Sequence, residues 1–260
     1  MSHESILVKQ GAGVATITLN RPQALNFLDP VMAEEIDRAL ADFEKDEGVR
    51  AIVITGAGRA FSAGGDLKFM QQGHTAQEFY QRMEVITRFI RTMITLPKPI
   101  IASVNGPAVG GGCNIALAAD LVLASEKATF AEVFTRIGLI PDCGGIFLLS
   151  RRVGLTRAKD LAFTGRTIDA HEAERIGMVN RVFSAEALEE ESRKMAEDLA
   201  KGPTMALGIT KRLFNQSYES DFEALLRLEN SNQALLRLTE DHREGVRAFF
   251  EKRKPEFKGK

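Results

Sequence analysis

Tryptophan is absent from this chain of 260 residues, and it has only two tyrosines and two cysteines. Two cysteines, Cys113 and Cys143, are too few for the disulfide framework of a small secreted domain. Neither belongs to a Cys-x-x-Cys pair, which argues against a zinc site, and no metal ligand set is expected. They read as reduced thiols of a reducing, cytoplasmic compartment. A surplus of charge is missing too: 34 Lys and Arg against 35 Asp and Glu leave a net charge of -1. That excludes the basic footprint of a nucleic-acid partner or of an anionic membrane surface. The N-terminal MSHESILVKQ lacks a hydrophobic signal core. One uncharged run, Ile100 to Ala119, approaches the length of a bilayer span. Asn105, Pro107 and Gly110-Gly111-Gly112 interrupt it, so it reads as strand, glycine loop and buried helix. Nucleotide-binding signatures fail as well. No GxxxxGK[ST] occurs, and GxGxxG would need glycine where Phe61 stands.

What is present is enough apolar residue, 44%, for one sizeable core. VATITL (Val14 to Leu19) reads as a strand ended by Asn20-Arg21-Pro22. Asp29-Pro30 marks a helix start, and Met32, Ile36, Leu40 and Phe43 recur at helical spacing. AIVIT (51–55) and PIIASV (99–104) are buried strands, with an amphipathic helix from Gln77 to Leu96 between them. CNIALAAD then reads as a helix and LVLAS as a strand. This alternation predicts an α/β class with mostly buried strands. After about Ser184 four stretches have helical periodicity and none reads as a strand. The chain divides into a core, residues 1–200, and a helical region, residues 201–260. Leu225, Leu226, Leu228, Leu235, Leu236 and Leu238 give that region more apolar surface than a lone surface helix needs. A subunit interface and packing on the same chain both fit.

Two glycine segments follow two of the strands: Phe61-Ser62-Ala63-Gly64-Gly65-Asp66 and Gly110-Gly111-Gly112-Cys113-Asn114. Without Cβ atoms the main chain can approach a ligand closely, and a glycine loop opening a helix aims free N–H groups outward. Two such loops could each supply one donor to a developing oxyanion; tight turns would explain them equally well. Ala60 to Gly64 nearly matches a serine-nucleophile elbow, which would pair Ser62 with His242. The strand ends near Thr55, too early for that turn. His3, His74, His171 and His242 all read as surface residues. Asp142, in GLIPDCGG, is either a helix cap or a general base whose pKa an apolar setting would raise. The basic run Glu251-Lys252-Arg253-Lys254 reads as a solvated face or as a tail that docks on phosphates.

Together, Asn20-Arg21-Pro22, FSAGGDL, IASVNGPAVGGGCNIALAAD, GLIPDCGG and DHREGVRAFFEKRKPEF resemble the enoyl-CoA hydratase/isomerase, or crotonase, superfamily over nearly the whole chain. The resemblance implies a ββα superhelix with a helical C-terminal trimerisation region, in trimers or dimers of trimers. It implies backbone oxyanion donors at Gly65 and Gly111, and a coenzyme A (CoA) site along Ala63, Gly65, Asp66, Leu67 and Lys68. Phe249 and Lys252 would reach the nucleotide end of CoA, often across a subunit boundary. CoA arrives within the substrate, so no separate cofactor is implied. The two water-activating glutamates of the hydratases fall on Asn114 and Phe134 here, which argues against hydration, and Phe134 would make the pocket drier. Glu132 lies nearby but out of register. Asp142 matches the catalytic aspartate of several branches. The tail and GLIPDCGG look closest to the ring-epoxide (1,2-epoxyphenylacetyl-CoA) isomerase branch of phenylacetate degradation. The expected activity is therefore an acyl-CoA isomerase that shifts a 3-enoyl double bond to the 2 position or rearranges a ring epoxide. A hydratase or other thioester activity, and a non-catalytic CoA-thioester binder, are the alternatives.

Overall fold

A hairpin opens the chain in the computed structural model, which describes residues 4–260; His3 lies outside the described residues. Strand β1 (Ile6–Gly11) turns at Ala12 and Gly13, both at positive φ, and pairs antiparallel with β2 (Val14–Leu19). β1 falls inside the segment read as a polar terminus. It is an edge strand with mostly exposed residues, so it carries little apolar pattern. Helix α1 (Pro30–Lys45) starts where Asp29 accepts the Met32 amide at 2.9 Å, and it buries Met32, Ile36, Leu40 and Phe43 as the spacing predicts. Then follow β3 (Ala51–Gly56), a single turn α2 (Leu67–Met70), and α3 (Ala76–Thr95), which a Thr75–Glu78 capping box opens.

The uncharged run around the triple glycine is β4 (Ile100–Val104), β5 (Ala108–Val109) and α4 (Gly111–Ala118). No helix among the described residues is long and apolar enough to cross a membrane. After β6 (Leu121–Ser125) and β7 (Thr129–Ala131), a 3-10 turn over Val133–Ile137 leads to α5 (Gly145–Thr164), kinked at Gly154. Next come β8 (Thr167–Asp169), α6 (Ala170–Arg175), β9 (Arg181–Phe183), α7 (Leu188–Ala200), α8 (Thr204–Gln216), α9 (Phe222–Leu236) and α10 (Glu240–Glu251).

The main sheet runs β1-β2-β3-β4-β6-β9, parallel except for β1. Its central strands are apolar on both faces because both are covered. Ile52, Ile54, Ile100 and Ala102 face the large core with α1 and α3, while Ala51, Val53, Ile101 and Leu123 meet Leu188, Ala196 and Ala200 of α7. A small sheet, β5-β7-β8, stands beside it. Its strands are two or three residues long, too short to show a period.

Helix α8 is held to the core by charge. The buried Lys211 ammonium lies 2.9 Å from the Asp120 carboxylate and donates to the carbonyls of Met93 and Lys98. The C-terminal tail is stapled back: Arg50 donates to Thr204 Oγ1 and to the carbonyls of Gly202 and Phe257, and Asp241 accepts the amides of Lys258 and Gly259. The described residues leave the apolar side chains of Phe214, Phe222, Leu235, Leu238, Phe249 and Phe250 exposed.

Candidate active site

The parallel pairing of β3 with β4 brings the loops that follow them side by side. Ser62 bridges to Ala108, the Val109 amide donates to the Ser62 carbonyl at 2.9 Å, and the amides of Phe61 and Ser62 both donate to the Pro107 carbonyl. This contact has no room for side chains. A Cβ on Gly64 would stand 2.5 Å from the Val109 carbonyl oxygen, and one on Gly112 would stand 2.3 Å from that of Ser62. Gly64 also has φ +84°, a left-handed conformation that favours glycine. On the other side the Leu28 amide donates to the Gly64 carbonyl at 2.7 Å.

Two amides are left over. Gly111 is the first residue of α4, where no carbonyl of the preceding turn is available to its N–H. Neither it nor Gly65 donates a hydrogen bond to any described residue. Both glycines line one narrow pocket with Asp142. Leu28, Phe69, Phe79, Met83 and Ile86 form its apolar walls. Phe79, Met83 and Ile86 lie along α3, the helix that the sequence marks as amphipathic. Arg82, also on the wall, lies with its guanidinium 3.8 Å over the Phe69 ring.

Asp142 reaches this pocket from a strained turn. Cys143 has φ 49° and Gly144 φ 78°, so two successive left-handed residues follow it before α5 begins. The Asp142 carbonyl accepts the Gly145 amide at 2.8 Å and Asn114 Nδ2 at 3.0 Å. A Cβ on Gly111 would lie 3.5 Å from Asp142 Oδ1, and that oxygen is buried without a hydrogen-bond partner. Burial pushes the Asp142 carboxyl above the usual aspartate range, and a hydrogen bond from the Cys143 thiol offsets part of the rise. Burial also pushes the Cys143 and Cys113 thiols well up, so neither is a thiolate nucleophile.

Asn114 and Phe134, expected in the pocket, lie one layer behind it. Asn114 is fully buried and packs onto Gly145, where a Cβ would come within 2.3 Å of its amide nitrogen. Phe134 is buried with its ring edge 3.4 Å from the Cβ position of Gly110. Glu132, passed over as out of register, is buried beside Asn114, whose Nδ2 lies 3.5 Å from its Oε2. Burial raises the Glu132 carboxyl to about 7.

Of the residues expected along CoA, Ala63 is half-buried between the loops, Asp66 caps α2 through the amides of Lys68 and Phe69, and Leu67 and Lys68 are exposed beside it. Phe249 and Lys252 do not join them within one chain. Both are exposed at the end of α10, and Phe249 lines a separate groove with Met205, Leu236 and Phe257. The serine-elbow reading fails on geometry: Ser62 is fully buried with its hydroxyl donated to the Asn26 carbonyl, and His242 sits in the first turn of α10. His171 is exposed on α6, and His74 stacks on Phe69 at 3.9 Å.

A family model described as Enoyl-CoA hydratase/isomerase matches residues 9–260. The chain is 38% identical to 1,2-epoxyphenylacetyl-CoA isomerase of Escherichia coli (strain K12), over 99% of both chains. It is 43% identical to a protein of Rhizobium meliloti (strain 1021) named probable enoyl-CoA hydratase, again over 99% of both. The crystal structure of enoyl-CoA hydratase from Bacillus anthracis superposes with a TM-score of 0.94 at 34% identity, covering 99% of this chain and 100% of that one.

Proposed function

This chain belongs to the enoyl-CoA hydratase/isomerase family and has its crotonase-type α/β fold, and we propose that within the family it is an acyl-CoA isomerase. One observation carries the reading: a half-buried carboxyl, Asp142, whose Oδ1 has no hydrogen-bond partner, shares an apolar pocket with the free amides of Gly65 and Gly111. The two positions at which a hydratase would keep carboxylates hold Asn114 and Phe134 and lie behind the pocket wall.

The chemistry follows from that geometry. The thioester carbonyl oxygen accepts from the Gly65 and Gly111 amides, which makes the proton on C-2 acidic. Asp142 takes that proton. The electron pair forms an enolate whose charge grows on the oxygen held by the two amides. Returning the proton at C-4 moves the double bond from C-3 to C-2 and leaves the aspartate as it began. No atom is gained or lost, and the CoA carried by the substrate is the only coenzyme required. Apolar walls favour this over hydration because they keep competing water from the enolate. The similarity to the ring-epoxide isomerase supports a second substrate class, an aryl-CoA epoxide opened by the same oxyanion polarisation.

The uncovered apolar side chains of α8, α9 and α10 support a homo-oligomer in which Phe249 and Lys252 approach the CoA of a neighbouring subunit. The test of the function is a direct comparison of a 3-enoyl-CoA, an aryl-CoA epoxide and crotonyl-CoA as substrates for wild type and Asp142→Asn. Isomerisation of either of the first two, reduced at least about 10²-fold by the substitution, is the expected result. Hydration of crotonyl-CoA as the fastest reaction would overturn it.

A further inference from the structure

Glu132 has no part in the reaction just described, yet at 1% exposure it is the most deeply buried carboxyl group among the described residues. It has no cationic partner there. The titratable groups facing it are Cys113 from α4, and Asp142 and Cys143 from the segment leading into α5. Its Oε2 accepts from Asn114 Nδ2 at 3.5 Å, while its Oε1 and the Asn114 Oδ1 are both buried without a donor. Two side chains that are already joined thus each keep one unsatisfied acceptor. A carboxylate would leave both orphaned, at about 1–3 kcal/mol for each buried polar group. A single proton on Oε1 supplies the missing donor. Given to Oδ1 while Nδ2 gives to Oε2, that proton would close an acid–amide pair by two antiparallel hydrogen bonds. The amide so held is the one that also donates to the Asp142 carbonyl at 3.0 Å.

We propose that Glu132 is a positioning residue which, as a neutral acid, clasps the Asn114 amide and through it fixes the Asp142 turn beside the Gly111 end of α4. The inference rests on the reading of Asp142 as the base; Glu132 itself does not line the substrate pocket. Burial is the main reason the acid form persists to about pH 7, and the Asp142 charge adds to it. The hydrogen bonds from Cys113 and Asn114 act the other way. As pH rises through that value the clasp loses its proton, and the aspartate it positions is released. The enzyme therefore has an alkaline decline that belongs to Glu132, apart from the acidic decline that belongs to Asp142.

Glu132→Gln separates the possibilities, because an amide N–H can stand where the acid O–H stood at every pH. In wild type kcat falls about tenfold between pH 6 and pH 8.5. Glu132→Gln keeps wild-type activity at pH 6 and loses the alkaline fall. Glu132→Ala is reduced about tenfold or more in kcat across the range, with KM changed little. A Gln variant as impaired as Ala, or one with the alkaline fall unchanged, overturns the proposal. Infrared difference spectra of the protein without substrate give a readout independent of turnover. A buried protonated-carboxyl band present at pH 6 and lost by pH 8.5, and missing from Glu132→Gln, is expected. Its absence from wild type overturns the clasp even if the enzyme is active. Its presence in a protein without isomerase activity upholds the clasp and removes the assigned reaction instead.

Discussion

Replacing Gly112 by alanine tests the link between loop contact and catalysis. The added Cβ would meet the Ser62 carbonyl oxygen at 2.3 Å and the Ser62 Cβ at 2.7 Å. Real Cβ atoms essentially never come closer than 3.0 Å, so the two loops must part by at least about 0.7 Å. Backbone on one side and a helix start on the other leave no flexible side chain to absorb the shift. The Gly65 and Gly111 amides sit on opposite sides of this contact, so their separation changes by a comparable amount. A misplacement of about 1 Å at a reacting centre can cost about 10² in rate. Gly112→Ala is therefore expected to fold, with a stability loss of about 1–3 kcal/mol from overpacking, and to lose about 10²-fold in kcat/KM. Turnover of a 3-enoyl-CoA followed by the absorbance of the conjugated product, together with a thermal melt, reads both quantities. Gly11→Ala is the control, since nothing lies within 4 Å of its Cβ position. A folded Gly112→Ala with activity within about threefold of wild type would refute the oxyanion assignment.

Asp142→Asn is expected to remove activity but raise the melting temperature at pH 7–8. The folded carboxyl titrates above its unfolded range, so the folded state holds the extra proton. Stability falls as pH climbs through that window, and the substitution removes the loss. For the same reason wild-type kcat/KM declines on the acid side at a pH above the usual aspartate range, which a pH–rate profile reads. Lys211→Met leaves the partly buried Asp120 carboxylate with the Ile100 amide but without its ammonium, and is expected to cost about 1–3 kcal/mol in urea denaturation, with most of it recovered on adding Asp120→Leu. Glu244→Gln loosens the tail, since Glu244 holds Arg247, Arg253 and the Glu256 amide. These bonds press its carboxyl far below the usual range, so they act at neutral pH and are lost only in strong acid. Faster proteolysis after residue 252 at pH 7 checks it.

How much was legible in the sequence depended on how local the determining physics is. α1 and α3 were readable because caps and a 3.6-residue period mark them from within. β1 and the three-residue strands β7, β8 and β9 carry no such mark; β1 exists because the adjacent β2 offers hydrogen bonds across a tight turn, the others because neighbours distant in sequence do. The glycine loops were visible as a repeated pattern, but their choice between turns and a paired amide site came from the β3–β4 register. Asp142 reads equally as a cap or a base in the sequence; the burial of its unpartnered Oδ1 beside Gly111 is a product of the fold. Glu132 reads as out of register in the sequence; the turn after β7 folds it back against Asn114, which sequence spacing does not reveal. Phe249 and Lys252 lie at the end of α10, away from the pocket of a single chain.

The free amides of Gly65 and Gly111 belong to the main chain, and that has an evolutionary consequence. A side-chain donor can be lost by one codon change; these donors persist under any replacement the loops can accommodate. Side chains around them are then free to drift without dismantling the charge-stabilising device. On the proposed reading, carboxylates given up at Asn114 and Phe134, behind the pocket, and one recruited at Asp142 would change the reaction while the same two amides still held the thioester. The loop pair is in this sense a fixed socket, and diversification of the chemistry proceeds by exchanging the residues that surround it.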